Sequence, residues 1–429
     1  MNPETPEKSR PLARFWDNRW YVLGVLTAIH VMHSIDRNVI SILVEPIKSE
    51  FALSDAQMGI LTGLAHSGTL AVFVLPLGWL ADRVNRIKMI SIILTIWSGL
   101  TALTALAGSY GALVLMRAGV GAAEAGGQPT NASLLGDLFK ARERPIALGI
   151  YYMAVPIGAG SIALVGGLIA HAHGWRAAFL VAGLPGILLA LLVWLTIREP
   201  VRASAPEKGA SKSVLASARA VLTNPALMMM ILGGTFASAA QHSVWSWMGS
   251  FFIRHHHLNI AQAGLIVGFS VLLGKGIGSV MSGPMTVLLS RGRDKSLWRF
   301  SALMLSLSAP LGWAMVSAPD ALIAGACAML IGVALGVWSG QAMTIVLASS
   351  HPSARGVSVG AYQLSVNLLG SGLGPLATGF LSDQFGEGGL GAAIGWTLTI
   401  NLLSAVGFLA ACICLPKVSP GDGTPETAH

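Results

Sequence analysis

Charge is scarce in this chain. Only 11% of its 429 residues are charged, 53% are hydrophobic, and the mean hydropathy is +0.67. Soluble domains carry about 25% charged residues, so this composition excludes a soluble globular protein and indicates a membrane protein. Cysteine is also sparse, and Cys327, Cys412 and Cys414 all fall inside apolar segments. We therefore expect no disulfide, no metal site and no cofactor.

Long apolar runs, in contrast, are abundant. A helix needs about 20 residues to cross the ~30 Å hydrocarbon core of a bilayer. We therefore expect an all-α membrane protein of twelve transmembrane helices. Residues 1–19 are polar and the first apolar run lacks a small-residue cleavage site, so we expect that helix to be retained. The predicted spans lie at 20–45, 54–80, 88–108, 111–136, 145–170, 175–197, 224–251, 260–289, 297–317, 320–348, 354–382 and 390–415.

The formal net charge of +8 is distributed by topology. Of the 27 Lys and Arg residues, 21 lie at the two ends of the chain or in even-numbered loops. This positive-inside bias predicts a multi-pass protein of the cell inner (plasma) membrane with both termini in the cytoplasm, and it removes the need for a nucleic-acid partner. The six exceptions are Lys48, Arg176 and Arg254 in odd-numbered loops and Arg37, Arg117 and Lys275 within helices.

The two halves of the sequence repeat each other. "SDAQMGILTG" at 54–63 returns as "NIAQAGLIVG" at 259–268, an offset of 205, and "RPIALGIY" at 144–151 returns as "RGVSVGAY" at 355–362. Such ordered matches predict a duplicated unit and two pseudo-symmetric six-helix bundles. The predicted segments are a cytoplasmic N-terminal segment (1–19), the first bundle (20–197), a polar cytoplasmic linker (198–223), the second bundle (224–415) and a cytoplasmic tail (416–429).

Buried charge is concentrated in the first half. Asp36 aligns with Gln241 at the 205 offset. The helix 4 residues Arg117 and Glu124 align with the apolar residues Leu330 and Val337 of the second copy. An unpaired ion at bilayer depth costs from ~3 to more than 10 kcal/mol, so these groups should pair or face water. We hypothesise that Asp36, Arg37, Arg117 and Glu124 cluster at a cavity, where Asp36, Arg117 and Glu124 couple protons and Arg37 meets an anion. The alternative is a static ion-pair network between helices 1 and 4.

Other polar residues within the predicted helices extend the candidate site. Lys275 either snorkels to the interface or presents its charge to an anionic substrate. Histidines are expected to be packing residues, with His33 the best candidate for a proton carrier. Tryptophans on helices 7 and 10 would line a pocket, form an interfacial belt or pack in the core. The further candidate substrate-binding residues are Gln241, Trp245, Trp338 and Gln341.

Several of these motifs together resemble one known family. "IDRN" in helix 1, "GWLADRVNR" at 78–86, "R-x-x-x-G-x-x-E-A" at 117–125, "GDLF" at 136–139 and "IYYMAVPIGAG" in helix 5 resemble the spinster-like branch of the major facilitator superfamily. The resemblance implies alternating-access transport of lysolipids or sphingosine-1-phosphate, with Asp36, Arg37 and Glu124 at the substrate and coupling site. The organic anion:cation symporter branch shares the helix 1 and helix 4 motifs, whereas the Tyr152 to Gly160 string favours the spinster branch.

The 78–86 motif resembles the helix 2–3 signature of the same superfamily, where it latches the cytoplasmic gate. The corresponding residues here are Gly78, Asp82, Arg83 and Arg86. A basic loop that only sets topology is the alternative. The second copy has Val287 in place of Asp82, so any latch should be asymmetric.

These observations predict a proton-coupled secondary active transporter rather than an enzyme. Its expected partners are protons, membrane lipids and an amphipathic anionic substrate, with a lysolipid preferred, and we expect a monomer. A symporter of small organic anions such as sugar acids is the first alternative. A membrane protein that senses a ligand without transporting it is the second. An intramembrane enzyme is disfavoured, because no nucleophile, base and orienting group stand at useful spacing.

Overall fold

The computed structural model describes residues 18–81, 83–140, 142–199, 221–290, 295–350 and 355–414. Within these ranges all regular secondary structure is helical, and twelve long helical runs follow one another. We label these runs α1 to α12, counting a run with an internal break as one helix. They are α1 Arg19–Ile42, α2 Asp55–Ala81, α3 Arg86–Leu106, α4 Tyr110–Glu124 with Gly127–Leu138, α5 Arg144–Tyr152 with Ala154–His173, α6 Trp175–Thr196, α7 Pro225–His255, α8 Ile260–Phe269 continuing through Gly276–Ser290, α9 Ser296–Val316, α10 Ala321–Ser349, α11 Arg355–Ser365 continuing through Leu373–Phe385, and α12 Gly389–Thr399 with Asn401–Cys414.

Nine of these runs, among the residues described, are long and apolar enough to cross a membrane by composition alone. The other three are α1, α4 and α7. Asp36 and Arg37 interrupt the apolar run of α1, a break after Glu124 divides α4, and Ser, Gln and His side chains dilute α7. The all-helical membrane fold predicted from the sequence is confirmed. Polar residues or a break within the helix make α1, α4 and α7 its least apolar helices.

The repeat detected in the sequence is visible in local structure. Ser54 and Gln57 form a capping box at the start of α2, and Asn259 and Gln262 form the same box at the start of α8. In each box the first side chain accepts from the backbone of the fourth residue, and the fourth side chain accepts in return. Both helices then contain a π turn, at Ile60–Leu64 and Ser270–Lys275.

Helices α1–α6 and α7–α12 each pack chiefly among themselves, and the two groups meet along α1–α7, α2–α11 and α5–α8. Glycine permits the closest of these approaches. A Cβ atom added to Gly63 on α2 would lie 2.5 Å from the carbonyl oxygen of Gly372 on α11, and one added to Gly264 on α8 would lie 2.5 Å from that of Ala163 on α5. The backbones are therefore in contact across the boundary between the groups.

The groups separate towards one end. The segments Gly127–Leu138 and Arg144–Tyr152 pack on helices of the first group, while Gly276–Ser290 and Arg355–Ser365 pack on helices of the second. We call this the open end and the opposite one the closed end. The predicted linker at 198–223 and the predicted tails lie mostly outside the described residues, so those boundaries remain predictions.

Candidate functional site

A cavity of about 130 Å³ lies between the two groups of helices, with walls from α1, α2, α5, α7 and α8. One water molecule needs roughly 10–15 Å³ by the same measure, so the space is large enough for the polar head of a ligand. Arg37 on α1 and Lys275 at the end of the α8 π turn face it from opposite groups. None of its lining residues, within the described ranges, is a carboxylate.

Arg37 is held by the second group of helices. Its Nη2 donates to Ser371 Oγ at 3.1 Å on α11 and lies 3.4 Å from His242 Nε2 on α7. The Nδ1 of His242 lies 2.9 Å from the backbone oxygen of Ser238, which can only accept. His242 therefore donates through Nδ1, and its Nε2 is left to accept from Arg37.

Arg37 and His242 are repeat-equivalent positions, since their numbers differ by 205, the repeat offset. Equivalent residues meet only where the pseudo-symmetry axis passes between them. The sequence therefore contained a signal for this contact, because the offset that carries Asp36 onto Gln241 also carries Arg37 onto His242. The contact places the cavity on the axis that relates the two halves.

Glu124 is paired with histidines rather than with arginine. His66 Nε2 on α2 lies 2.7 Å from Glu124 Oε2, and both side chains are almost fully buried. His33 Nε2 on α1 lies 3.2 Å from the same oxygen but is not oriented for a hydrogen bond. Sequence spacing placed Arg117 on the same face of α4 as Glu124, but could not show that a second helix supplies His66.

Arg117 and Asp36 are adjacent without forming an ion pair. Arg117 donates from Nη1 to the backbone oxygen of Asp36 at 2.9 Å and from Nη2 to that of Arg37 at 3.1 Å. Both carboxylate oxygens of Asp36 are buried without a hydrogen-bond partner. Trp97 Nε1 and Thr101 Oγ1 on α3 are the donors that flank this carboxyl group, and neither has a hydrogen-bond partner elsewhere in the described residues. The four predicted charges are thus brought to one region, but their side chains are not paired with one another.

The other predicted substrate-binding residues are divided by the fold. Trp245 lines the cavity beside Lys275. Gln241 and Trp338 are buried in α7 and α10 and are not among its lining residues. Gln341 accepts from Ser301 Oγ at 2.7 Å and so contacts α9 instead of the cavity.

Arg86 is the best-connected residue of the predicted gate motif. It donates to Asp137 at 2.6 Å and to Glu199 at 2.7 Å, which ties the start of α3 to the ends of α4 and α6. The guanidinium of Arg83 lies 3.9 Å from the centroid of the Trp79 ring. A Cβ atom added to Gly78 would have no neighbour within 4 Å, so at the open end this glycine makes no close approach. Asp82 lies outside the described residues.

Charged side chains join the two groups at the closed end. Asp55 at the start of α2 accepts from Arg254 Nη1 at 2.7 Å and Nη2 at 2.8 Å, from Ser382 Oγ at 2.6 Å, and from Lys48. Arg254 also pairs with Glu45 at 2.7 Å. We call these five residues the closed-end network.

Asp383 on α11 adds a further contact there, because its carboxylate accepts from the backbone N–H groups of Asp55 and Ala56 at 3.0 and 2.9 Å. A carboxylate at a helix N-terminus satisfies free N–H groups and is favoured by the helix dipole. From the sequence, Lys48 and Arg254 could be identified only as loop charges, so this connection was not predicted. It depends on residues about 200 or more positions apart.

Comparison with known proteins agrees with this architecture. The family model described as Major Facilitator Superfamily matches residues 26–375. Over 402 residues the chain is 28% identical to an MFS-type efflux pump of Mycolicibacterium smegmatis, and this alignment covers 92% of this chain and 91% of that protein. It is 25% identical over 391 residues to a sphingosine-1-phosphate transporter of Danio rerio, with 85% and 76% covered. It is 24% identical over 375 residues to a probable L-galactonate transporter of Escherichia coli, with 82% and 81% covered.

A crystal structure is also similar over nearly its whole length. It is that of a bacterial homolog to the human lysosomal transporter spinster, in an inward-facing and unoccupied conformation. The TM-score is 0.80, the identity is 26%, and 95% of this chain and 98% of that chain are covered.

The chain belongs to the major facilitator superfamily. It is a multi-pass membrane transporter of a small molecule, and the resemblance to spinster-like proteins inferred from its motifs is confirmed.

Proposed function

We propose that this transporter is a proton-coupled secondary active carrier that moves an amphipathic anion by alternating access. The observation that carries the proposal is the charge of the cavity wall. Arg37 and Lys275 face one space from opposite groups, and no carboxylate among the described residues lies within ion-pair distance of either. Two cations that share a cavity of low dielectric repel each other, so an anion that enters between them is favoured.

The remaining wall supports an amphipathic substrate. Val155, Val267, Val271 and the Trp245 ring contribute apolar surface next to the two cations. A single-chain lipid phosphate of the lysolipid or sphingosine-1-phosphate type would place its head on Arg37, whose planar fork suits phosphate oxygens, and its chain along the apolar surface. The sphingosine-1-phosphate transporter among the relatives agrees with this preference.

A small organic anion is the alternative with its own support. Asn38, Ser41, Thr62 and Ser246 bring hydrogen-bonding side chains to the same cavity. Such groups would bind the hydroxyls of a sugar acid, and the probable L-galactonate transporter is a relative. Both candidate substrates would bind between the same two cations and should therefore compete for one site. A competition assay shows which of them binds more tightly.

Proton coupling is supported by the charged groups behind the cavity wall. A static network would pair Asp36 or Glu124 with Arg117, but Arg117 donates to backbone oxygens and Glu124 meets histidines. The buried Asp36 carboxylate has no cation paired to its oxygens among the described residues, which makes its ionised form costly, so we expect its protonation to change when another charge approaches it. Glu124 with Asp36 is accordingly our candidate for the coupling site, with Arg117 as its fixed positive neighbour.

The positive-inside rule supports a cytoplasmic location for the open end, which carries Arg83 and Arg86. We therefore propose that the closed-end network lies outside and that the conformation is inward-facing. Alternating access then requires the closed-end network to break when the open end closes. We place the protein in the inner membrane with both termini cytoplasmic, and propose that it works as a monomer.

Thermal stability of the purified protein tests the substrate class. A ligand at 100 times its Kd stabilises the folded form by about 2.7 kcal/mol. We expect a lysophosphatidate with one acyl chain to raise the Tm of the wild type and of the control Arg83→Gln by the same amount, and that of Arg37→Gln by clearly less. Galactonate serves as the small-anion arm. Equal stabilisation of wild type and Arg37→Gln would contradict a cavity-bound anion.

Reconstituted vesicles then distinguish a transporter from a sensor. We expect radiolabelled lysophosphatidate to cross vesicle membranes that contain the wild type faster than those that contain Arg37→Gln. Binding without translocation would instead identify a membrane ligand sensor.

A further inference from the structure

Glu124 Oε2 meets two histidines whose surroundings differ. His66 Nε2 is the closer at 2.7 Å, and only 2% of its side chain is exposed. His33 Nε2 lies at 3.2 Å, with 10% of its side chain exposed. His33 lines the central cavity, whereas neither His66 nor Glu124 is among the lining residues. Of the three, only His33 therefore touches both the cavity and the carboxylate.

We propose that His33 is the proton entry group of Glu124: it carries protons between cavity water and Glu124 Oε2, while His66 only holds the carboxylate in place. This inference rests on the proposed proton coupling. The imidazole ring can take a proton at one nitrogen and release another from the other. No other side chain in the described residues is seen to bridge the two places.

The transfer conserves protons. Cavity hydronium gives a proton to His33 Nδ1, and the proton on Nε2 passes to Glu124 Oε2, which leaves a neutral imidazole in the other tautomer. The first tautomer is restored when Glu124 Oε2 later returns its proton to His33 Nε2 and Nδ1 releases its own proton to cavity water. His33 Nε2 lies 3.2 Å from Oε2 and has no other hydrogen-bond partner in the described residues, so a rotation of the imidazole ring can align its N–H with the carboxylate for this step.

Among the residues that the structure describes, the groups around His33 offer no second carrier. The His30 ring, also on α1, is centred 5.7 Å away, but its Nδ1 is engaged with the backbone oxygen of Tyr151 at 3.2 Å. The centre of the Trp97 ring of α3 lies 6.2 Å away, and its indole N–H only donates hydrogen bonds and does not titrate in this pH range. The facing titratable group on α4 is Glu124 itself, with His66 of α2 behind it. The charges that line the cavity are Arg37, a permanent cation, and Lys275 on α8, whereas the Asp36 carboxyl group of α1 is not among the lining residues.

The test follows the arrival of the proton at Glu124 and needs no substrate. Purified protein in vesicles is subjected to a rapid pH drop, and the infrared band of the protonated Glu124 carboxyl, identified by its loss in Glu124→Gln, is followed in time. We expect His33→Gln to slow the appearance of the band by roughly a hundredfold, which is the lower range for general acid–base groups. His171→Gln, at an exposed histidine outside the cavity lining, is the control and should keep the wild-type rate within about threefold. His66→Gln should slow the band far less than His33→Gln does.

A second pair of variants guards against misfolding. His33→Ala and His66→Ala are compared with and without added imidazole, and far-UV circular dichroism checks the helix content of each. Imidazole should restore the rate in His33→Ala only, because only that vacancy adjoins the cavity. A wild-type rate in His33→Gln, or equal rescue of the two alanine variants, would overturn the proposal. If the wild type gives no Glu124 band at all between pH 9 and 4, the proton coupling itself fails.

Discussion

Replacing Asp55 by Asn should shift the protein out of the closed-outside conformation. Asp55 is the acceptor at the centre of the closed-end network, where only 4% of its side chain is exposed. Arg254, Lys48 and Ser382 all donate to it, and two of these three belong to the second group of helices. The carboxylate therefore stabilises the contact between the groups, and water replaces these partners when the end opens.

The magnitude follows from what remains after the substitution. Removing one partner of a buried ion pair costs about 3–5 kcal/mol, because the other charge is left uncompensated. Arg254 retains Glu45 at 2.7 Å and is 27% exposed, so we take the lower value of about 3 kcal/mol. The cost falls only on the closed conformer. At about 1.4 kcal/mol per tenfold change, the ratio of open to closed conformers should rise about 100-fold.

Spin-label distances across the closed end measure this ratio. Exposed Ser49 and Gln384, one on each group, are changed to Cys in a background in which the three native cysteines are Ser. We expect Asp55→Asn to add a longer distance to the distribution. Glu50→Gln is the matched control, since Glu50 pairs with Arg176 at 2.7 Å inside the first group. An unchanged distribution in Asp55→Asn, or an equal shift in Glu50→Gln, would refute the reasoning.

Three further predictions follow. Arg37→Gln should weaken lysophosphatidate binding by roughly 10- to 100-fold, the worth of a charge-assisted hydrogen bond of about 1.5–3 kcal/mol, and a titration that gives the wild-type Kd contradicts this. Gly63→Leu should destabilise the closed-outside conformation, because the leucine side chain would clash with the backbone of Gly372 on α11. The spin-label distances should lengthen as in Asp55→Asn. Hydrogen bonds from Arg176 lower the pKa of Glu50 from 4.5 to about 2. The depressed pKa means that this pair stabilises fully above pH 4.5 and is lost as pH falls towards 2, so the Tm difference between wild type and Glu50→Gln should be constant from pH 8 to 5 and shrink below 4.5.

Much of the fold could be predicted because the bilayer imposes a length and a composition on each span. The run predicted at 54–80 is the helix Asp55–Ala81, and the run at 175–197 is Trp175–Thr196. Breaks within helices were not predicted. The α4 run divides after Glu124, and a helical hydrophobic pattern contains no signal for that break beyond the small residues Ala125, Gly126 and Gly127.

The candidate site was predictable in its charges but not in its pairings. Asp36, Arg117 and Glu124 could be selected because a charge within an apolar run is costly unless it is paired or faces water. Which side chain each one meets depends on how separate helices pack, so His66 could not be assigned to Glu124 from spacing alone. Gln341 shows the opposite failure, since it was predicted to bind substrate but its side chain contacts Ser301 on α9.

Transport under an imposed pH gradient tests the central claim most directly. Vesicles that contain wild type, Glu124→Gln or the control Glu143→Gln are loaded and assayed for lysophosphatidate movement with and without the gradient. We predict that the gradient changes the wild-type and Glu143→Gln rates, whereas Glu124→Gln exchanges substrate at a rate that the gradient does not affect. Full gradient dependence in Glu124→Gln would contradict the coupling role of this carboxylate.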